Sequence, residues 1–272
     1  MAKTRKTKDF LLFLLIGIFS LASPTIVSAE QVDKEAKSEP IGKTEISTKT
    51  SVFPLHWRLE RSKENLKIYS AKSKVGSILS IKAELEVEST LSGFLLFLQD
   101  TENIPNWLDN ANHSQVLSQI SQNKNRFVTY FDGVWPVKPR HMVIESKIVQ
   151  NDDLSIDIFV TDSNFKDEGE KQVAENKKSI KITVHHAHWH ISPITKTKAK
   201  TNHNATSQDT PQNTRLLIAY QFQADPNGAL PSWLVNRMTV SSIFKTMNNL
   251  AYLLPLSEWQ QYQIPHINEP QR

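Results

Sequence analysis

The stretch Ala224–Leu254, ADPNGALPSWLVNRMTVSSIFKTMNNLAYLL, decides the fold. It opens with three turn residues, Pro226, Asn227 and Gly228. Proline presets its own φ, and asparagine and glycine tolerate positive φ. Pro231 follows at a first helical position, where its missing N–H costs nothing. From there to Leu254 neither Pro nor Gly recurs, and Pro255 closes the run. At about 100° per residue, Trp233, Val240, Ile243, Phe244, Met247, Leu250, Ala251 and Leu254 share one broad apolar face. Ser241, Ser242, Lys245, Thr246, Asn248 and Asn249 take the other. The spacing predicts a helix of roughly 24 residues, about 36 Å long. An apolar stripe of that length needs a cover.

Most of the preceding chain reads as strands, and these are the cover. In Ser77–Glu88, Leu79, Ile81, Ala83, Leu85 and Val87 alternate with polar residues, the mark of an antiparallel strand with one wet face. Further strands are predicted at 65–71, 125–132, 140–149, 154–160, 179–191 and 214–223. Asn151-Asp152-Asp153 is a hairpin turn. Residues 92–99 read as a short helix, with a turn at Asn103-Ile104-Pro105 and a further helical turn over 106–111. Residues 114–121 are strand or helix, and 133–139 an irregular turn. Residues 162–178 and 195–213 are polar loops. The fold class is α+β: a curved antiparallel sheet wrapped around a long C-terminal helix, with a hydrophobic cavity between them.

The ends of the chain are read separately. Lys3 to Lys8 form a basic region, Phe10 to Leu21 an apolar run, and Val27-Ser28-Ala29 a small-residue cleavage pattern. Residues 1–29 are therefore read as a secretory signal peptide, which places the protein in the periplasm or outside the cell. An uncleaved anchor is the alternative, but Ser23 and Pro24 cut the run short of the ~20 residues a span needs. Residues 30–53 are a polar linker, 54–260 the folded domain and 261–272 a C-terminal tail. The chain of 272 residues carries a formal charge of +4. Without the first 29 residues 28 basic face 27 acidic side chains, so nucleic acid is not an implied partner. The absence of cysteine leaves stabilisation to core burial.

Four segments carry a family resemblance. They are Leu66-Lys67-Ile68-Tyr69-Ser70, Tyr130 to Arg140 (YFDGVWPVKPR), His188-Trp189-His190-Ile191-Ser192-Pro193, and Ala224 to Asn236. In that order they resemble the opening strand, the Trp-Pro turn leading to an arginine, the tryptophan-then-proline strand end and the C-terminal helix entry of the START (StAR-related lipid-transfer) domains. The resemblance spans about Pro54 to Leu254. It implies the helix-grip fold, binding and transfer of a lipid or other hydrophobic ligand, a C-terminal helix acting as a lid, and transient membrane contact. The chain departs from the family in its 195–213 insertion and in its histidines, so no particular ligand transfers.

On this reading Met142, Ile144, Ile156, Ile158, Val160, Tyr220 and Phe222 line the sheet side of the cavity. Trp233, Val240, Phe244 and Met247 line the helix side, with close to half of the combined set serving as core. Arg140 and Glu145 are weighed as a buried polar pair and set aside, because position 145 has the opposite parity to Ile144. His186 and His188 point to one face and could share a metal ion. No third ligand is visible, so the cluster is read as a polar strand face. The chain offers no G-x-S-x-G elbow, no cysteine and no phosphate-cradling loop, and neither enzymatic activity nor a cofactor is expected. Two other functions remain open on the same fold. One is a polyketide cyclase or aromatase using His186 or His188 as acid–base; the other is a protein-interaction module with a filled cavity.

Overall fold

The computed structural model describes residues 56–73, 76–133, 137–163, 179–194 and 214–270. All belong to the unit Thr50–Arg272. The signal and linker readings, residues 164–178 and 195–213, and the Val134-Trp135-Pro136 turn lie outside the described residues.

Ten strands form one sheet: β1 (Arg58–Lys63), β2 (Leu66–Ala71), β3 (Ser80–Glu88), β4 (Ala111–Ser121), β5 (Lys124–Phe131), β6 (Arg140–Gln150), β7 (Ile156–Asp162), β8 (Ile180–Lys181), β9 (Thr183–Ile194) and β10 (Arg215–Asp225). Their order is β1-β2-β3-β10-β9-β7-β6-β5-β4, all antiparallel, with β8 alongside β6 in parallel. Three α-helices, α1 (Leu91–Gln99), α2 (Ile104–Trp107) and α3 (Ser232–Leu253), and a 3-10 helix at Glu258–Gln261 complete the described fold. The segment 114–121, open between strand and helix in the sequence, is strand. Ile104, read as part of a turn, begins α2 instead, with Pro105 inside its first turn where an N–H is not needed.

The alternation read in β3 holds: Ile81, Ala83, Leu85 and Val87 are buried, and Lys82 and Glu84 pair on the wet face. The register carries this pattern across the sheet in rows. Leu66, Leu85, Ile218, Ile191 and Ile156 lie side by side, each at most 1% exposed. With Leu91, Phe94 and Leu95 of α1 they belong to one close-packed core. The next row runs Ile68, Ala83, Tyr220, Trp189, Ile158 and Ile148. Here the core ends and open space begins.

In β9 the pairing shifts between Gln223↔His186 and Ala224↔Val184, leaving His185 as an extra residue. Such a bulge resets side-chain parity. Val184 therefore faces inward with Ala187, Trp189 and Ile191, while His186, His188 and His190 face outward.

The turn before α3 has the geometry its residues predict: Asn227 and Gly228 have φ of 55° and 85°. A Cβ on Gly228 would stand 3.3 Å from Ile180 Cδ1, so the position is tight as well as left-handed. Pro231 is the N-cap rather than the first helical residue, a shift of one position. Beyond α3, residues set apart in the sequence as a tail pack onto α1. Ile267 is 5% exposed, and Glu269 accepts from the Leu91 and Ser92 N–H groups at 3.0 and 2.7 Å. These are N–H groups of α1's first turn, which have no partner within the helix.

Candidate functional site

Between the sheet and α3 lies a cavity of about 550 Å³. Its floor is the concave face of β5, β6, β7, β9 and β10, its roof is α3, and Leu95, Leu98, Ile104, Trp107 and Leu108 close one side. Of the residues predicted on the sheet side, Met142, Ile144, Ile158, Val160, Tyr220 and Phe222 stand in the wall. Ile156 does not: it sits one row deeper, fully buried in the core beneath α1. Parity placed it on the correct face but could not say where along the strand the cavity stops.

On the helix side the prediction is overturned. Met247 is fully buried core, and Val240 and Phe244 pack against that core. The Arg61 guanidinium lies over the Phe244 ring, 5.1 Å from its centroid. Trp233 is 67% exposed, on the outer side of the helix. The cavity is instead roofed by Val235, Met238, Thr239, Ser242, Ile243 and Thr246. The physical reason is that the most apolar stripe seeks the densest packing, the dry ground over β2 and β3. A hollow offers fewer atoms to pack against, and a more polar stripe can face it.

Several contacts hold the roof down. Asn236 Oδ1 accepts from the Leu79 N–H at 3.0 Å, and its Nδ2 donates to the Ser77 carbonyl. Midway along α3, Thr246 Oγ1 accepts from the Asp109 N–H at 3.0 Å, and Asn249 donates to the Trp107 carbonyl. At the entry turn, Arg140 donates to the carbonyls of Pro226 (3.3 Å), Asn227 (3.2 Å) and Lys138. Arg140 is 6% exposed, and burial pulls its pKa below the ordinary guanidinium value. Asn227 Nδ2 adds bonds to the Lys181 carbonyl and Thr183 Oγ1, both 2.9 Å. Arg140 and Glu145 do not pair: Glu145 faces away, bonded to Lys124 and Arg126 at 2.7 and 3.4 Å.

The wall is mainly apolar, and aromatic at its centre. The Tyr220 ring stacks on Trp189 at 3.9 Å and 18°, and on Phe222 at 5.1 Å and 16°. Polar side chains in the wall include Thr129 and Asp132, which already have partners in Ser114 and Asn112. Trp189 and the alternating Phe127, Thr129 and Phe131 of β5 are wall residues that sequence reasoning missed. The β5 set was legible from its period of two. Trp189 was masked by the histidines around it.

Those histidines are on the opposite, outer face. Asp157 Oδ1 bonds His188 Nε2 at 2.7 Å and His190 Nδ1 at 2.8 Å, and His190 Nε2 meets Ser192 Oγ at 3.0 Å. Burial alone would raise the Asp157 pKa, but the hydrogen bonds from Asn151, His190 and His188 outweigh it and hold the carboxyl below its usual value. His188 also stacks on Phe159 at 4.9 Å. Among the described residues no group of three or more His, Cys, Asp or Glu side chains is arranged to hold a metal ion.

No family model matches the chain. A curated relative, an uncharacterized protein of Pseudomonas aeruginosa, is 19% identical over 195 residues, 71% of this chain and 84% of the relative. Among solved structures, a STAR-related lipid transfer protein from Xanthomonas axonopodis is similar with a TM-score of 0.55 and 19% identity, over 73% of this chain and 98% of that one. Human STARD10 gives 0.57 and 17%, over 77% and 78%. Human StAR-related lipid transfer protein 5 gives 0.58 and 14%, over 74% and 86%. The chain has the helix-grip fold of the START domains.

Proposed function

We propose that the protein is an exported carrier that holds one lipid or other hydrophobic molecule in the cavity beneath α3. The observation that carries this reading is the cavity itself. At about 550 Å³ it falls in the ligand-pocket range of roughly 300–1,000 Å³, with a mainly apolar wall and a few polar groups. Solved proteins of this fold named for lipid transfer give independent support. Release requires the entry turn at 226–230 or α3 itself to lift, and lifting the turn breaks the Arg140 bonds to Pro226 and Asn227. Export rests on the N-terminal pattern of the sequence.

Binding without turnover is the reading we prefer to a cyclase. The two histidines a cyclase would need as acid–base lie on the outer face of the sheet, His188 bonded to Asp157 and His186 beside the His188 ring, and neither lines the cavity. The test is native mass spectrometry of the protein purified from the cells that make it, followed by organic extraction. A co-purifying apolar molecule supports the carrier. A protein that neither retains nor takes up any apolar molecule in solution refutes it.

A further inference from the structure

Resting on the carrier reading, the wall chemistry narrows the ligand. Tyr220 stands in the row bordering the sealed core, so it marks the inner end of the cavity. Its ring is fixed between Trp189 and Phe222. Its hydroxyl has no hydrogen-bond partner among the described residues, although burial pushes its pKa far above the usual phenol value. The residue is partly buried, and the surface it keeps lines the cavity. A second wall residue, Trp107, also has an indole N–H with no partner.

Buried polar groups are ordinarily satisfied, and an exception in a cavity wall calls for an explanation. Both unpaired groups offer a proton. Neither is accompanied by a spare cation: of the two cations lining the cavity, Arg140 already donates to three backbone carbonyls and Lys245 faces the Asp109 carboxylate at 3.7 Å. A carboxylate or phosphate placed at Tyr220 would lose its hydration and gain no countercharge among aromatic rings, a large desolvation cost. An uncharged oxygen loses little and supplies the missing acceptor. A hydroxyl or carbonyl at the leading end of an apolar molecule fits that requirement.

We propose that the ligand is a neutral lipid whose buried end carries a carbonyl or hydroxyl oxygen, and that the Tyr220 hydroxyl donates to it. The apolar body then runs outward along Phe222, Ala187 and Val160 toward Met238, where the wall reaches solvent.

The test compares three probes of one chain length, dodecane, dodecan-2-one and dodecanoate, by displacement of the neutral fluorophore N-phenyl-1-naphthylamine. Each is measured on the wild type and on Tyr220→Phe, which keeps the ring stack and removes only the hydroxyl. The ketone should bind the variant about five- to tenfold more weakly, the worth of one hydrogen bond, while the alkane is unchanged. Equal effects on ketone and alkane, or a loss confined to dodecanoate, overturn the proposal while leaving the carrier reading intact. Failure of the fluorophore and all three probes to bind the wild type overturns the carrier reading and this proposal with it. Circular dichroism and a urea midpoint on Tyr220→Phe separate lost binding from lost fold.

Discussion

Replacing Arg140 with methionine tests the roof most directly. The side chain keeps an unbranched apolar stem but loses the guanidinium that donates to the carbonyls of Lys138, Pro226 and Asn227. A hydrogen bond from a charged donor contributes about 1.5–3 kcal/mol net. The freed carbonyls of the entry turn can rehydrate in part once the turn moves, so the three bonds together should be worth about 2–4 kcal/mol rather than their sum. For a domain of this size each kcal/mol shifts Tm by about 2–4 °C, giving a fall of about 4–16 °C. The assay is urea unfolding alongside thermal denaturation. Hydrogen exchange adds a local readout, because the Asn227 amide is held by Asp225 at 2.7 Å and should exchange faster when the turn loosens. A bound hydrophobic fluorophore should leave faster than from the wild type. An unfolding free energy within about 0.5 kcal/mol of the wild type, with unchanged exchange at Asn227, would refute the role assigned to Arg140.

Four further outcomes are expected. Removing residues 263–272 should destabilise the domain by at least about 3 kcal/mol, since it strips α1 of the Glu269 bonds and exposes the Ile267 site; a truncated chain as stable as the full one would show that the segment is only draped on the surface. Phe244→Asp should cost about 2–4 kcal/mol in urea unfolding, because the ring packs on core and Arg61 rather than on ligand; a stable variant that merely loses ligand would return Phe244 to the cavity. His188→Ala should leave binding of a neutral hydrophobic probe within about twofold, its partner Asp157 lying on the outer face; loss of the probe, or loss of a turnover seen in the wild type, would revive the cyclase reading. The last concerns pH. Burial, aided by the Lys181 charge, lowers the His141 pKa below its ordinary 6.5. The unfolded chain therefore takes up the proton first as pH falls, so the contribution to stability is present above about pH 6.5 and is lost below it. Between pH 8 and pH 5 the wild type should lose more stability than His141→Gln; parallel profiles would count against a buried neutral imidazole.

Some of this architecture is dictated by local chemistry. Period-two alternation needs only the pleat, so β3, β7 and β10 were legible, and so was the set of inward residues on each. Pro226, Asn227, Gly228 and Pro231 act through their own backbones, which is why the helix entry could be located to within one residue. The same applies to the end of α3 before Pro255.

What escaped is what depends on partners far away in sequence. Periodicity identified the apolar stripe of α3 but not its neighbour, and the stripe went to β2 and β3, leaving Thr239, Ser242 and Thr246 to roof the hollow. The His185 bulge exists only as a mismatch between β9 and β10, yet it sets which residues of β9 face inward. Ile156 and Ile158 are indistinguishable by parity, and only the packing of α1 over one row makes the first core and the second cavity wall. The capping of α1 by Glu269 joins positions 177 and 178 residues apart, beyond any local signal. The sequence by itself determined the elements, their turns and their wet and dry faces, because those follow from backbone preference and side-chain period. The tertiary structure alone decided where the dry faces meet and where they stand apart, because a cavity is a property of the gap between elements and of none of them singly.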